Sequence, residues 1–151
     1  MSTWSLAGDL PLVLDGAGLD GLSAPRPPDR LRALLAEAHR RHREVLAPTL
    51  VCSEVARGRA RTRALEAALA RHDAGRRERP AVRLIDTDFA LARQVGTILD
   101  AAGRSSEMVV DAHVVAVCVP AGGGLVVTAD PDDIDELAAT VPAARVRTVT
   151  L

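Results

Sequence analysis

Five short segments rich in apolar residues recur along this 151-residue chain, each too short for a buried helix, with helical stretches between them. They are residues 11–14, 48–52, 82–85 and 125–128, with 145–149 as a fifth, edge-like run. Continuous apolar strands that alternate with helices imply a parallel sheet covered on both faces, because a one-sided sheet would show period-two alternation instead. The expected class is therefore α/β, with a central, mostly parallel sheet of about five strands. One domain spanning 1–151 accommodates it.

Helices are expected from Arg30, after a cap at Asp29, to about Arg43, and from Glu54 after a cap at Ser53. Residues 57–63 read as a basic helix or turn, and 64–71 as strongly helical. A helix starting at Thr87 or Asp88 would bury Phe89, Leu91, Ala92, Val95, Ile98 and Leu99 on one face and end at Gly103. Residues 107–119 are rich in valine, but a helix there completes the alternation between strands. Residues 131–139 open with an acidic first turn suited to a helix N-terminus. Residues 16–28, with Pro25, Pro27 and Pro28, read as a turn, and 73–80 as a charged loop.

The chemistry concentrates between residues 109 and 136. Asp111 stands among valines, and the run Leu125-Val126-Val127-Thr128 delivers Asp130 beyond its carboxyl end. A lone carboxylate in apolar surroundings is costly to bury unless it is paired or binds a cation. From Glu107 to Glu136 there are seven acids and no arginine. Asp15 ends the first strand, and Glu54 follows the second. In an open parallel sheet the crevice lies beyond the carboxyl ends of the strands. Asp15, Glu54 and Asp130 are thus expected on one edge, with Asp111 within reach. Three of these acids have an ordinary explanation when taken alone: Asp15 a turn, Glu54 a dipole-favoured first helical turn, Asp130 a helix start; Asp111, in apolar surroundings with no evident partner, favours a functional role. The ordered set of four points to a site. Carboxylates without histidine or cysteine select hard cations such as Mg²⁺ or Mn²⁺.

Composition narrows the partners. Aromatic residues are only Trp4 and Phe89, so stacking on nucleobases is not the binding mode. All 19 basic residues are arginine, and residues 40–79 hold eleven of them against five acids, beside an acidic C-terminal third. That asymmetry suits a polyanion held over a metal site. The arginines of 57–63 are placed to meet phosphates or an acidic protein tail, or simply to face solvent. His39 and His42 read as part of a solvated basic face, and His113 as structural. No apolar run reaches the length of a membrane span and no signal peptide is evident, so a cytoplasmic protein without membrane contact is expected. Cys52 and Cys118 are expected as buried, reduced thiols.

Asp15 after an apolar strand, APTLVCSEVARG around Glu54, VVDAHVVAVC around Asp111 and LVVTADPDDIDELA around Asp130 together resemble the PIN-domain ribonucleases, and most of all the VapC-type toxins of toxin–antitoxin systems. The resemblance runs over nearly the whole chain. It implies a three-layer α/β/α fold and metal-dependent endonucleolytic cleavage of RNA, with Asp15, Glu54, Asp111 and Asp130 as the acidic site. Thr128 matches the family's hydroxyl residue before the last acid, and Asp132 or Asp133 would assist, Asp133 as a candidate further metal ligand. A cognate antitoxin that blocks the site, and a homodimer, are also implied. The alternative is a PIN fold without turnover that holds RNA or an antitoxin.

Two features depart from that family's pattern. Gly16-Ala17-Gly18 stands where a Ser or Thr often follows the first Asp, and the proline-rich 21–28 segment replaces the usual helix start. Gly16-Ala17-Gly18-Leu19-Asp20-Gly21 is also a literal GxGxxG dinucleotide fingerprint. It is set aside because the prolines leave room for only a very short helix, and Asp15 would repel phosphate. A receiver domain would need a lysine, and the chain has none.

Overall fold

The computed structural model describes residues 10–73 and 81–151. Most of the charged loop expected at 73–80 lies outside the described residues, as do residues 1–9. Five strands form one sheet: β1 (Leu12–Leu14), β2 (Val45–Pro48), β3 (Val82–Ile85), β4 (Gly123–Thr128) and β5 (Arg145–Thr150). The order is β3-β2-β1-β4-β5, and every neighbouring pair is parallel. Seven helices among the described residues flank it in a three-layer α/β/α arrangement. They are α1 (Gly16–Ser23), α2 (Asp29–Arg40), α3 (Cys52–Val55), α4 (Arg59–Asp73), α5 (Phe89–Ala102), α6 (Val109–Cys118) and α7 (Pro131–Ala138). Helix α1 packs on α4, β1 and β4, while α5, α6 and α7 pack on one another.

The sheet forms because its central strands have apolar side chains on both faces. Leu12, Val13 and Leu14 of β1 and Val126 and Val127 of β4 are all buried. Each such side chain contributes about 1.5–3 kcal/mol on leaving water. Edge strands β3 and β5 are only partly covered, with Arg83, Leu84 and Arg145 exposed. Valine-rich α6 is a helix because its whole length is needed to fill the space over β1 and β2: residues Ala112 to Cys118 are all buried. Burial pushes the Cys118 thiol up to about 12, while Cys52 is half-buried; both are free. His113 is buried too, its Nδ1 2.7 Å from the Val109 carbonyl oxygen.

Several expectations need correction. The second strand is Val45–Pro48, and residues Thr49–Val51 form a 3₁₀ turn instead of strand. Pro48 still serves in the sheet, but at the strand's last position. Residues 16–23 are helical, not a turn: the three prolines all lie beyond Ser23, and Ala24 is extended as the residue before a proline prefers. Asp29 is the first residue of α2 and pairs with Arg32, while Pro28 holds the cap position without a side-chain bond. Helix α2 stops at Arg40, and His42 takes a left-handed conformation just after it. Ser53 does not cap; its hydroxyl donates to the Leu50 carbonyl. Residues 59–73 form one unbroken helix. Phe89 is 82% exposed rather than buried, because it is the first residue of α5 and its side chain lies off the Leu91–Val95–Ile98 stripe; Ala92 is exposed as well. Asp88 caps α5 through the Leu91 amide, and left-handed Gly103 ends it, as its composition predicts.

Candidate functional site

The order in which strands are added reverses between β1 and β4: β1, β2 and β3 step to one side, then the chain returns to place β4 on the other. Such a switch point leaves a crevice at the carboxyl ends of the strands. An open pocket of about 400 Å³ lies there. Asp15, Glu54, Asp111, Asp130 and Asp133 all line it, although they are drawn from β1, α3, α6 and α7 or the residues next to them. Asp132 is exposed and outside that lining.

Asp15 is held most firmly. Its side chain caps α1, accepting from the Gly18 amide at 3.1 Å. Burial raises its pKa, opposed by hydrogen bonds from the Thr128 hydroxyl and the amides of Gly18, Ala17 and Ala129. Thr128 is fully buried and ties two acids together: its oxygen also accepts the Asp130 amide at 3.0 Å. That reciprocal use of one hydroxyl sets the end of β4 against the end of β1.

Asp111 carries the strongest electrostatic signal. In the first turn of α6 and half-buried, its pKa is pushed up to about 6. Loss of water is the largest cause, followed by the charges of Asp133, Glu54, Asp15 and Asp130. Asp133 is also raised, by lost hydration first and then by the charge of Asp130, with which it shares a hydrogen bond. Glu54 and Asp130 are exposed at the rim. Glu136, one turn beyond Asp133, is neutralised by a bidentate contact from Arg104 at 2.8–2.9 Å, so the acidic C-terminal third is not wholly without a local counter-charge.

Two lining residues are not evident in the sequence. Asp20 lies four residues after Gly16, one turn along the same face of α1, and pairs with Arg61 of α4 at 2.9 Å. Arg61 comes from the basic 57–63 stretch, but its place in the pocket depends on a contact across 41 residues. It is the only basic side chain in the lining among the described residues.

The donor set suits a hard divalent cation: every acidic oxygen is a carboxylate, and no histidine or cysteine lines the pocket. Among the described residues no group of three or more His, Cys, Asp or Glu forms a ready-made metal-binding cluster as it stands.

The GxGxxG fingerprint does open a helix, contrary to expectation, yet the place of a phosphate is taken. The Asp15 carboxylate occupies the amide of Gly18, and Oε2 of Glu54 stands over Gly16. No helix among the described residues is long and apolar enough to cross a membrane.

The family profile described as PIN domain matches residues 20–139. No curated protein sequence is a significant match. Among solved structures, a chain in the structure of FitAB bound to the IR36 DNA fragment aligns with 92% of this chain and 94% of its own length, at 17% identity and a TM-score of 0.60. A chain in the crystal structure of VapBC2 from Rickettsia felis, bound to a DNA fragment from their promoter, aligns with 93% and 99% respectively, at 11% identity and a TM-score of 0.62. At those identities the likeness is one of fold.

Proposed function

Because the chain belongs to the PIN-domain family, we propose that it is a divalent-metal-dependent endoribonuclease of the VapC toxin type, cutting RNA phosphodiester bonds at this pocket. The observation that carries this reading is the convergence of six carboxylates from β1, α1, α3, α6 and α7 or the residues next to them on one crevice, with a single arginine, paired to Asp20, beside them. Such a cluster is unfavourable by itself and becomes tolerable around Mg²⁺ or Mn²⁺.

In this reading Asp15, Glu54, Asp111 and Asp130 hold the ion, and Asp133 supports Asp130 through their shared hydrogen bond. When bound, a divalent ion supplies the positive charge that in-line phosphoryl displacement needs and makes water a competent nucleophile near neutral pH. Thr128 and the amide turn at Gly18 keep Asp15 fixed while the rim acids adjust. Arg61 exchanges Asp20 for an RNA phosphate and so orients the strand across the carboxylates. By the same family resemblance, a cognate antitoxin covers the site, and two copies of the chain associate.

The test is cleavage of single-stranded RNA by the purified chain with Mn²⁺ or Mg²⁺ against a chelated control. Chelator-resistant cleavage excludes the reading, and RNA binding without cleavage at any metal concentration selects the non-catalytic alternative. Arg61→Ala is expected to raise KM about fivefold, the worth of one exposed ionic contact near 1 kcal/mol. The slope of log affinity against log salt should flatten by about one ion, with kcat nearly unchanged. A fall in kcat at constant KM contradicts this role for Arg61.

A further inference from the structure

Helix α1 begins with two glycines, and the structure gives them different work. A methyl group built on Gly18 meets Leu14 Cβ at 3.0 Å, Leu14 Cδ2 at 3.2 Å and Val127 Cβ at 3.5 Å. Gly18 therefore lets α1 lie close on β1 and β4, a matter of packing. A methyl group on Gly16 meets none of that framework. Its nearest neighbour is Oε2 of Glu54 at 2.6 Å, and the next atoms, Glu54 Cδ and Cβ, are 3.7 and 3.8 Å away.

We infer that Gly16 is a positioning residue for Glu54: its missing side chain leaves the space in which the Glu54 carboxylate stands beside Asp15. The inference rests on the carboxylate-site reading above. Apart from the chain neighbours and the helix's own backbone, the three nearest atoms to that space all belong to Glu54. Glu54 ends a flexible, exposed side chain, so anything larger than hydrogen at position 16 displaces the carboxylate and leaves the backbone where it is. The conformation of Gly16 is ordinary helix, so glycine is not needed there for backbone reasons. A residue that costs helix stability and relieves no backbone strain is explained by what it makes room for.

Gly16→Ala separates fold from site. Thermal unfolding without metal should be unchanged or rise by about 2 °C, since alanine favours the helix. The dissociation constant for Mn²⁺, measured calorimetrically, should weaken about tenfold, as when a group that orients a metal ligand is lost. In a Glu54→Ala background, Gly16→Ala should change Mn²⁺ affinity no further, because the displaced carboxylate is already gone. Native affinity in Gly16→Ala overturns the inference. So does a tenfold loss that persists in the Glu54→Ala background, which would place the effect elsewhere in α1. If the native chain binds no Mn²⁺ at all, the carboxylate-site reading falls and takes this inference with it. If Asp111→Asn loses Mn²⁺ while Gly16→Ala keeps it, only the inference falls.

Discussion

Asp111→Asn is expected to yield a protein that folds better than the native chain without metal, yet does not cut RNA. The aspartate is half-buried beside four other acids, and its pKa is pushed up to about 6 from an ordinary value near 3.8. The folded state therefore holds the Asp111 proton more tightly than the unfolded chain does. The associated stability is complete below about pH 4 and is lost as pH rises through about 6. A shift of that size corresponds to about 3 kcal/mol before screening, and to about 1 kcal/mol at a site partly open to water. Asparagine keeps the shape and removes the charge, so the variant should match the native chain near pH 4 and exceed it above pH 6. Mn²⁺ should invert that order. At a hundredfold excess over its dissociation constant, a ligand adds about 2.7 kcal/mol to the protein that binds it. The native chain should gain this and the variant should not. Cleavage by the variant should fall about a thousandfold, equivalent to about 4 kcal/mol of transition-state stabilisation. Melting curves across pH with and without Mn²⁺, together with a single-turnover cleavage assay, decide the matter. Undiminished cleavage by the variant defeats the assignment of Asp111.

Gly123→Ala should be the most damaging small substitution in the sheet. Gly123 has φ of 149°, and a methyl group there would stand 2.3 Å from the Arg145 carbonyl oxygen and 2.7 and 2.8 Å from two further backbone atoms. Those atoms belong to the first residue of β5, which pairs with Gly123 in register, so no side chain can move aside. Either β5 leaves β4 or the turn before it reforms. A loss of about 3 kcal/mol follows, or a melting temperature lower by roughly 6–12 °C in a chain of this length. Gly122 is the internal control. It has φ of 78° but open space around it, so Gly122→Ala should cost only about 1–2 kcal/mol. Equal melting temperatures for the two variants would show that the close approach to β5 is not what selects glycine at position 123. Cleavage per folded molecule should be unaffected, because β5 brings no residue to the pocket.

The parallel sheet was legible because β1 and β4 are apolar on both faces, and only a doubly covered sheet accepts such strands. The candidate acids stood out for a related reason: a carboxylate within or at the end of a greasy run has no counter-charge next to it in sequence. What misled was local composition read without three-dimensional context. Thr49–Val51 is as apolar as a strand, yet the chain has already left the sheet there, at Pro48. Three prolines within four residues read as breakers of the whole segment, although they begin only after α1 has ended. Phe89 looked like core because it is aromatic, but it lies off the Leu91–Val95–Ile98 stripe by which α5 is buried. Asp20, Arg61 and the space over Gly16 are set by distances between elements 38 or more residues apart, and no periodicity encodes those.

The position of β4 between β1 and β5 has a consequence for synthesis on the ribosome. Asp15 emerges early, but Thr128, which fixes it, and Asp130 arrive only with the strand that must insert beside β1 after two further strands have been made. Until then the first strand has a bare flank and its carboxylate no hydroxyl to hold it. On the proposed function, a nascent chain would therefore lack the complete carboxylate site until β4 and the start of α7 have been made.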